Sequence, residues 1–314
     1  MLQQTQVASV IPYYQRFLAR YPILQALAAA PLEEVMGLWS GLGYYARARN
    51  LHRCAQIIIA DYGGKFPVQP DLIAGLPGIG RSTAHAIAVF SGGARAAILD
   101  GNVKRVLCRA FGIEGFPGTA AVEKNLWALA ESLLPQSEVA TYIQAQMDLG
   151  ATVCTQREPR CLASAASCPL AEVCVARHSG RIAELPEKRP RKLLPQRQTR
   201  LLLVVDAGQV LLERRPPSGI WGGLLSLPEL SERDDPASYA AQYLGCEVTP
   251  GIALQPLKHN FTHFQLTLMP LSAEVRRFTG VADAGKYCWL GCEEIEHAAL
   301  PTPVRKILED FFSR

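Results

Sequence analysis

The chain lacks several features that define whole classes of protein. No apolar run approaches the roughly twenty residues that a bilayer span needs. Residues 1–6 have neither the basic start nor the apolar core of a signal peptide. Hydrophobic residues make up 49% and charged residues 19% of the chain, a balance that excludes disordered, collagen-like and coiled-coil proteins. We therefore expect a globular cytoplasmic monomer without a membrane partner, and the length of 314 residues predicts about two domains.

A strong charge bias is also missing, because 32 Lys and Arg stand against 28 Asp and Glu, for a net charge of +4. So small an excess does not by itself indicate a nucleic-acid partner. The basic residues are, however, concentrated between Arg177 and Arg200, where several prolines are interspersed. This stretch predicts an exposed linker over 177–199, either a solvated connector or one with a ligand of its own.

The nine cysteines are odd in number and belong to a chain without an export signal, which argues against a disulfide framework. Four of them fall within 154–174, separated by six, six and five residues. They are Cys154, Cys161, Cys168 and Cys174. Such crowding suits a metal site.

Periodicity changes between the two halves of the chain. From Val7 to about Gly150 apolar residues recur at helical spacing, for example on one face of the segment from Leu51 to Tyr62. Beyond the linker, two short β-rich runs flank a turn at 206–209, residues 264–271 alternate as a strand, and 302–312 form a last helix. We predict an all-α domain over 1–176 and an α+β domain over 200–314.

Two short motifs in the first half carry potential chemistry. Gly78 and Gly80 lie between two helical patterns and allow a hairpin whose backbone comes close to a ligand, while the N–H groups of the following helix suit a phosphate. Asp100 comes twenty residues after Gly80, just before another helix. Each motif alone is weak evidence, since an Asp in this position is more often a helix cap than a catalyst.

Together with the four cysteines, these motifs resemble the helix-hairpin-helix DNA glycosylase superfamily. Within it the chain looks like a MutY-type adenine DNA glycosylase, a repair enzyme that removes adenine mispaired with 8-oxoguanine in double-stranded DNA. The matching segments cover nearly the whole chain. They are 1–7, 41–47, 76–84, 98–107, 147–150, 215–224 and 259–264.

The resemblance implies roles for residues of the first half. Asp100 matches the carboxylate that stabilises or captures the positively charged sugar when the glycosidic bond breaks. Asn102 is its polar support, and Gln144 matches a base-pocket residue. Ser82 stands where the bifunctional, endonuclease III-like branch has a lysine that forms a Schiff base, so we expect glycosylase activity without strand cleavage.

The target adenine must leave the duplex, and the gap beside 8-oxoguanine must be filled. Gln4, Leu42 and Tyr44 match the family's wedge and stacking positions. Without the surrounding motif, Tyr44 would be interpreted as an ordinary core aromatic.

The cysteines match the family's 4Fe-4S ligands in number and place, although the family's middle gap is two residues and here it is six. Thiolate coordination fixes the positions of the sulfurs rather than their spacing in sequence, so we expect the cluster. Structural zinc on four cysteines is the main alternative, and four thiols without a metal are another.

The second half resembles the family's Nudix-like recognition domain. No segment after Gly223 has the dense glutamates that a Nudix hydrolase uses to bind magnesium, so no hydrolase chemistry is expected there. The recognition loop, usually Phe-Ser-His, is here Phe261-Thr262-His263. Threonine keeps the hydroxyl that would bond the modified guanine, and His263 follows it.

One departure concerns the general acid that protonates adenine. In the family it is a glutamate directly ahead of the segment that begins here at Met1, and residues 1–30 contain no acidic residue in its place. From the sequence as given we therefore expect either a start codon placed too late or an N-terminally truncated enzyme with slow adenine release. The alternative is a catalytically weak protein that binds DNA mispairs.

Overall fold

The computed structural model describes residues 1–3, 5–189, 194–217, 219–279, 283 and 285–313. Gln4 and part of the predicted linker lie outside the described residues. The helices are α1 (Val7–Arg20), α2 (Leu24–Ala29), α3 (Leu32–Trp39), α4 (Ala46–Tyr62), α5 (Pro70–Ala74), α6 (Arg81–Gly92), α7 (Gly101–Phe111), α8 (Ala120–Ser132), α9 (Val139–Asp148), α10 (Val175–His178), α11 (Pro236–Tyr239) and α12 (Thr302–Phe312). Within the described ranges, none of these helices combines the length and the apolar character that a membrane span requires.

Eight strands of the described residues form one mixed sheet in the second half. They are β1 (Gln196–Asp206), β2 (Gln209–Arg214), β3 (Leu225–Ser226), β4 (Glu229–Leu230), β5 (Cys246–Ala253), β6 (Leu257–Asn260), β7 (Gln265–Phe278) and β8 (Tyr287–Gly291). The central order is β3-β2-β1-β7-β5, with β4 on β1, β6 on β7 and β8 on β2. The long β1–β7 pair is parallel, and the other pairs are antiparallel.

The chain forms two compact units that do not follow its linear order. The composite unit joins Met1–Ala60 to Leu193–Arg314, and the helical unit comprises Asp61–Lys192.

Strand β1 explains the core of the composite unit. Leu201, Leu202, Leu203 and Val204 are all fully buried, which is the pattern of a strand covered on both faces. Because successive side chains point to opposite faces, Leu201 and Leu203 join a cluster with helices α1, α3 and α12. Leu202 and Val204 join a second cluster with α11 and β5 on the other face.

The helical unit is built around α7. Its buried side chains include Val103, Leu107 and Cys108, which pack with residues 96–99 and with α8 and α9. The helix ends at Gly112, whose φ of 66° is the left-handed conformation that favours glycine after a helix. This packing fixes the residues on either side of Asp100.

The expected fold classes are confirmed, since the first half is helical and the second is α+β. The turn at 206–209 connects β1 and β2 as an antiparallel hairpin, with Val205 opposite Val210. One detail of the helical pattern is wrong. The buried face of α4 contains Ala48, His52, Ala55 and Ile58, whereas Leu51 is 38% exposed.

Candidate active site

The predicted hairpin lies between α5 and α6 in the helical unit. Gly78 adopts a φ of 79°, which an L-residue with a side chain rarely adopts, and the N–H of Ile79 bonds the carbonyl of Leu76 at 3.2 Å. Gly80 is the N-cap of α6, and a Cβ added there would meet no described atom within 4 Å. No side chain of the described residues caps this helix. The first N–H groups of α6 are therefore available to an anion.

Arg81, the first residue of α6, contacts helix α8 while its side chain stays 50% exposed. Its guanidinium lies 4.0 Å from the ring centroid of Trp127 and pairs with Glu131.

Asp100 is the N-cap of α7 and lies half-buried at the start of the helix. Its Oδ1 accepts a hydrogen bond from the N–H of Val103 at 2.8 Å. Among the described residues Oδ2 has no hydrogen-bond partner. The carboxylate is therefore a helix cap with one oxygen still available.

Ser82 connects the hairpin helix to the residue before this carboxylate. Its Oγ accepts a hydrogen bond from the N–H of Leu99 at 3.0 Å, on the residue before Asp100. The structure thus gives the Ser82 hydroxyl a positioning contact within the protein.

Asn102 and Arg105 link α7 to the segment that leads to the cysteines. Arg105 donates to Asn102 Oδ1 at 2.8 Å, to the carbonyl of Gly150 at 2.6 Å and to the carbonyl of Cys154 at 2.7 Å. Burial lowers the pKa of Arg105 from its ordinary value. Gln144, on α9, is exposed and donates to Asp148 Oδ1 at 2.9 Å.

The four cysteines of 154–174 line one cavity in the helical unit. Arg109, only 3% exposed, donates to Cys154 Sγ at 3.4 Å and to the carbonyl of Thr155 at 2.7 Å. Burial, followed by the nearby thiols of the other three cysteines, raises the pKa of Cys161. In the described part of the chain, no group of three or more His, Cys, Asp or Glu is placed to hold a metal ion.

The predicted wedge lies in a turn of the composite unit between α3 and α4. Gly41, Gly43 and Tyr44 all have positive φ, at 98°, 69° and 48°. Tyr44 is 53% exposed, whereas Leu42 is 8% exposed and packs in the core. Of the described wedge residues, it is therefore Tyr44 that faces the solvent.

Arg47 holds this turn and the N-terminal segment together. Its guanidinium donates to the carbonyls of Met1 and Gln3 and to Thr5 Oγ1 on one side. On the other side it donates to the carbonyls of Leu42 and Gly43, at 3.4 and 3.3 Å. Its charge also lies 5.4 Å from the ring centroid of Tyr44. Arg47 thus holds Gln3 and Thr5, which flank Gln4 in sequence, together with residues 40–45, which we call the wedge turn.

Thr262 and His263 are exposed at the tip of the turn between β6 and β7. The N–H of Phe261 bonds the carbonyl of Phe264 at 2.9 Å, and the two phenyl rings stack with centroids 4.5 Å apart. Trp221 packs against Phe261 from behind, with ring centroids 5.8 Å apart. The hydrogen bond closes the turn and the aromatic rings support it. Its tip therefore presents the Thr262 hydroxyl and the His263 imidazole to the solvent.

Arg47, Arg105, Arg109 and Gly150 were not assigned roles from the sequence. Their partners are mostly backbone carbonyls, which every residue has, so no residue pattern points to them. The spacing of Arg105 and Arg109 is a sequence signal that could indicate a shared role, because side chains at i and i+4 lie on one face of a helix.

Comparison with known proteins defines the class. Residues 1–132 match the HhH-GPD superfamily of base excision DNA repair proteins, and residues 200–310 match the NUDIX domain. The solved structure of a thermostable thymine-DNA glycosylase superimposes with a TM-score of 0.50 at 29% identity, covering 57% of this chain and 80% of that chain. The protein is a base-excision repair DNA glycosylase, a hydrolase, with an added Nudix-like half.

Two relatives narrow this class. The chain is 35% identical to the adenine DNA glycosylase of Buchnera aphidicola subsp. Acyrthosiphon pisum, over 99% of this chain and 88% of that protein. It is 33% identical to the adenine DNA glycosylase of Mus musculus, over 98% of this chain and 69% of that protein. The chain belongs to the adenine DNA glycosylase family, which confirms the resemblance drawn from its motifs.

Proposed function

We propose that the protein hydrolyses the N-glycosidic bond of adenine opposite 8-oxoguanine or guanine in double-stranded DNA. The observation that carries this proposal is the Asp100 carboxylate, held at the start of α7 through one oxygen with the other unpaired among the described residues. Positive charge develops on the sugar as the bond breaks, and a fixed carboxylate beside it stabilises that state. The proposed DNA substrate would bring the protein to the nucleoid of a bacterial cell.

The hairpin supplies affinity for the DNA backbone. Its exposed Gly80 and the uncapped N–H groups at the start of α6 suit a phosphate. Such contacts position the duplex without reading its sequence. Gln144 is the proposed contact to the flipped adenine.

Ser82 supports a glycosylase that leaves the strand intact. A hydroxyl cannot form the Schiff base through which a lysine cleaves the sugar, and this hydroxyl already accepts the Leu99 N–H. The expected product is an abasic site.

Recognition of 8-oxoguanine is assigned to the turn that carries Thr262 and His263, with Gln4 and Tyr44 filling the gap left by the adenine. The exposed hydroxyl of Thr262 can donate to or accept from the modified base. The exposed ring of Tyr44 can stack between bases.

The donor set of 154–174 fits a 4Fe-4S cluster held by Cys154, Cys161, Cys168 and Cys174. All four thiols line one cavity beside α7, and thiolates are the ligands that iron–sulfur clusters use. Structural zinc on the same four cysteines is the alternative. When bound, the cluster would supply four iron–thiolate bonds that close the loop onto α7.

Single-turnover kinetics of the full chain on an adenine:8-oxoguanine duplex would test the function. We expect Asp100→Asn to slow adenine release about a hundredfold or more while mispair affinity survives, because the lost charge acts mainly in the transition state. Asp61→Asn, an exposed carboxylate at the end of α4, is the matched control and should leave the rate unchanged.

Two outcomes would oppose the proposal. Equal rates for Asp100→Asn and the unmodified chain would remove Asp100 from catalysis. Tight mispair binding by the unmodified chain with no release of adenine would favour the alternative, a mispair-binding protein.

A further inference from the structure

The wedge turn is bonded at both of its ends to the C-terminal segment of the chain. At one end, Ser40 Oγ accepts a hydrogen bond from Arg305 at 2.9 Å and donates to the carbonyl of Leu300 at 3.3 Å. At the other end, the hydroxyl of Tyr45 donates to the same carbonyl at 3.1 Å. That hydroxyl also accepts from the N–H of Gly41 at 3.3 Å. These contacts form one network within the composite unit.

Arg305 is itself fixed in place. It lies in the first turns of α12 and also donates to the carbonyls of Ala298 and Ile295. The guanidinium thus closes the loop before α12 and reaches Ser40 with a remaining N–H. Tyr45 is buried, and burial raises the pKa of its hydroxyl, so it remains a neutral donor.

The turn between these two ends is strained. Tyr44 has a φ of 48°, a conformation that residues with a side chain seldom adopt, and it persists only where its surroundings hold it. The contacts at Ser40 and Tyr45 are placed to do this, since they flank residues 41–44 and leave the Tyr44 ring in the solvent.

The geometry points to Arg305 and Tyr45 as positioning residues for the wedge. By holding Ser40 and Gly41 to Leu300, they keep Tyr44 projected toward DNA. Helix α12, which belongs to the second half of the sequence, would then contribute to adenine extrusion without touching DNA. This inference rests on the proposed role of Tyr44 as a wedge.

Extrusion can be followed by the fluorescence of 2-aminopurine placed opposite 8-oxoguanine, at saturating full-length protein. We expect Arg305→Met to lower the extruded fraction about tenfold, the usual order for losing hydrogen bonds to a charged group. Tyr45→Phe, which keeps the buried ring and removes only the hydroxyl, should lower it about threefold to tenfold. Lys306→Met, at an exposed neighbour that pairs only with Asp310 among the described residues, should have no effect.

A double-mutant cycle separates positioning from general damage to the fold. In a Tyr44→Ala background, Arg305→Met and Tyr45→Phe should cause no further loss of extrusion, because there is no wedge left to position. Binding of undamaged duplex should change less than twofold in every variant.

The possible results test the wedge assignment of Tyr44 separately from the positioning role of Arg305 and Tyr45. Extrusion unchanged by Tyr44→Ala would overturn the wedge assignment and the positioning role with it. A Tyr44→Ala effect combined with wild-type extrusion by Arg305→Met and Tyr45→Phe would overturn only the positioning role. Losses that persist in the Tyr44→Ala background would also overturn it, since they would then come from the fold as a whole. Should Arg305→Met fail to fold, Tyr45→Phe decides the question by itself.

Discussion

Gly150 shows how one residue without a side chain can support a catalytic arrangement. A Cβ added at this position would lie 2.6 Å from the Cβ of Asn102 and 2.9 Å from its carbonyl oxygen. The chain after α9 therefore packs directly on the first turn of α7. This close approach lets the carbonyl of Gly150 accept from Arg105, which in turn bonds Asn102. The glycine is explained by steric contact, since no positive φ is involved.

We expect Gly150→Ala to destabilise the protein by about 1–3 kcal/mol, the usual cost of overpacking a well-filled site. The expected signal is a lower thermal midpoint, measured without DNA. Gly101→Ala is the matched control, because a Cβ there meets none of the described residues within 4 Å and alanine favours a helix over glycine. If the thermal midpoint of Gly150→Ala equals that of the control, Asn102 and the backbone at residue 150 can move apart with little loss of stability.

Helix α7 is the element that joins the parts of the helical unit. It begins at Asp100, and Arg105 and Arg109, one turn apart on the same face, bond the backbone around the first cysteine. Its opposite face fills the core with Val103 and Leu107. The helix therefore connects the proposed catalytic carboxylate to the cysteine segment through hydrogen bonds.

The cysteine segment, residues 154–174, determines the metal content that we expect. Purified protein should contain about four irons per chain with broad visible absorbance, as cysteinyl clusters do. Cys168→Ser should reduce the iron content and lower the thermal midpoint, since the open loop would no longer support the bonds from Arg105 and Arg109. Cys292→Ser, at an exposed cysteine outside the segment, serves as the control. Stoichiometric zinc without iron would rule out the cluster.

Across the full chain, local sequence patterns predict the helices and strands but not the partners against which they pack. The turn between β1 and β2 is encoded by residues that are adjacent in sequence. The parallel β1–β7 pair instead joins residues about seventy positions apart. Likewise, the apolar stripe of α12 predicts a buried face but not that the N-terminal helices cover part of the same core. Non-local pairing depends on the summed packing of the chain, and no window of sequence contains it.

The candidate active site could likewise be predicted only in part from its residues. The glycines of the hairpin and the position of Asp100 before a helix could be identified because each conformation demands a residue type. The five acceptors around Arg47 could not, because four of them are backbone carbonyls. Side-chain identity reveals that an arginine can donate, but the fold decides to which atoms.

Affinity for DNA and specificity for 8-oxoguanine are assigned to different segments of the chain. Phosphate contacts at the hairpin should make binding of any duplex fall steeply with salt, whereas Thr262 should set the preference for 8-oxoguanine over guanine. Thr262→Ala should reduce that preference about fivefold, the order expected for one hydrogen bond, and leave the salt dependence unchanged. Thr262→Ser, which restores the hydroxyl without the methyl group, should recover it. Affinities for matched duplexes that differ only in the 8-oxo group, measured across a salt series, provide the test. Equal losses on both duplexes, or no recovery with serine, would mean that the hydroxyl at the tip of this turn does not read the modified base.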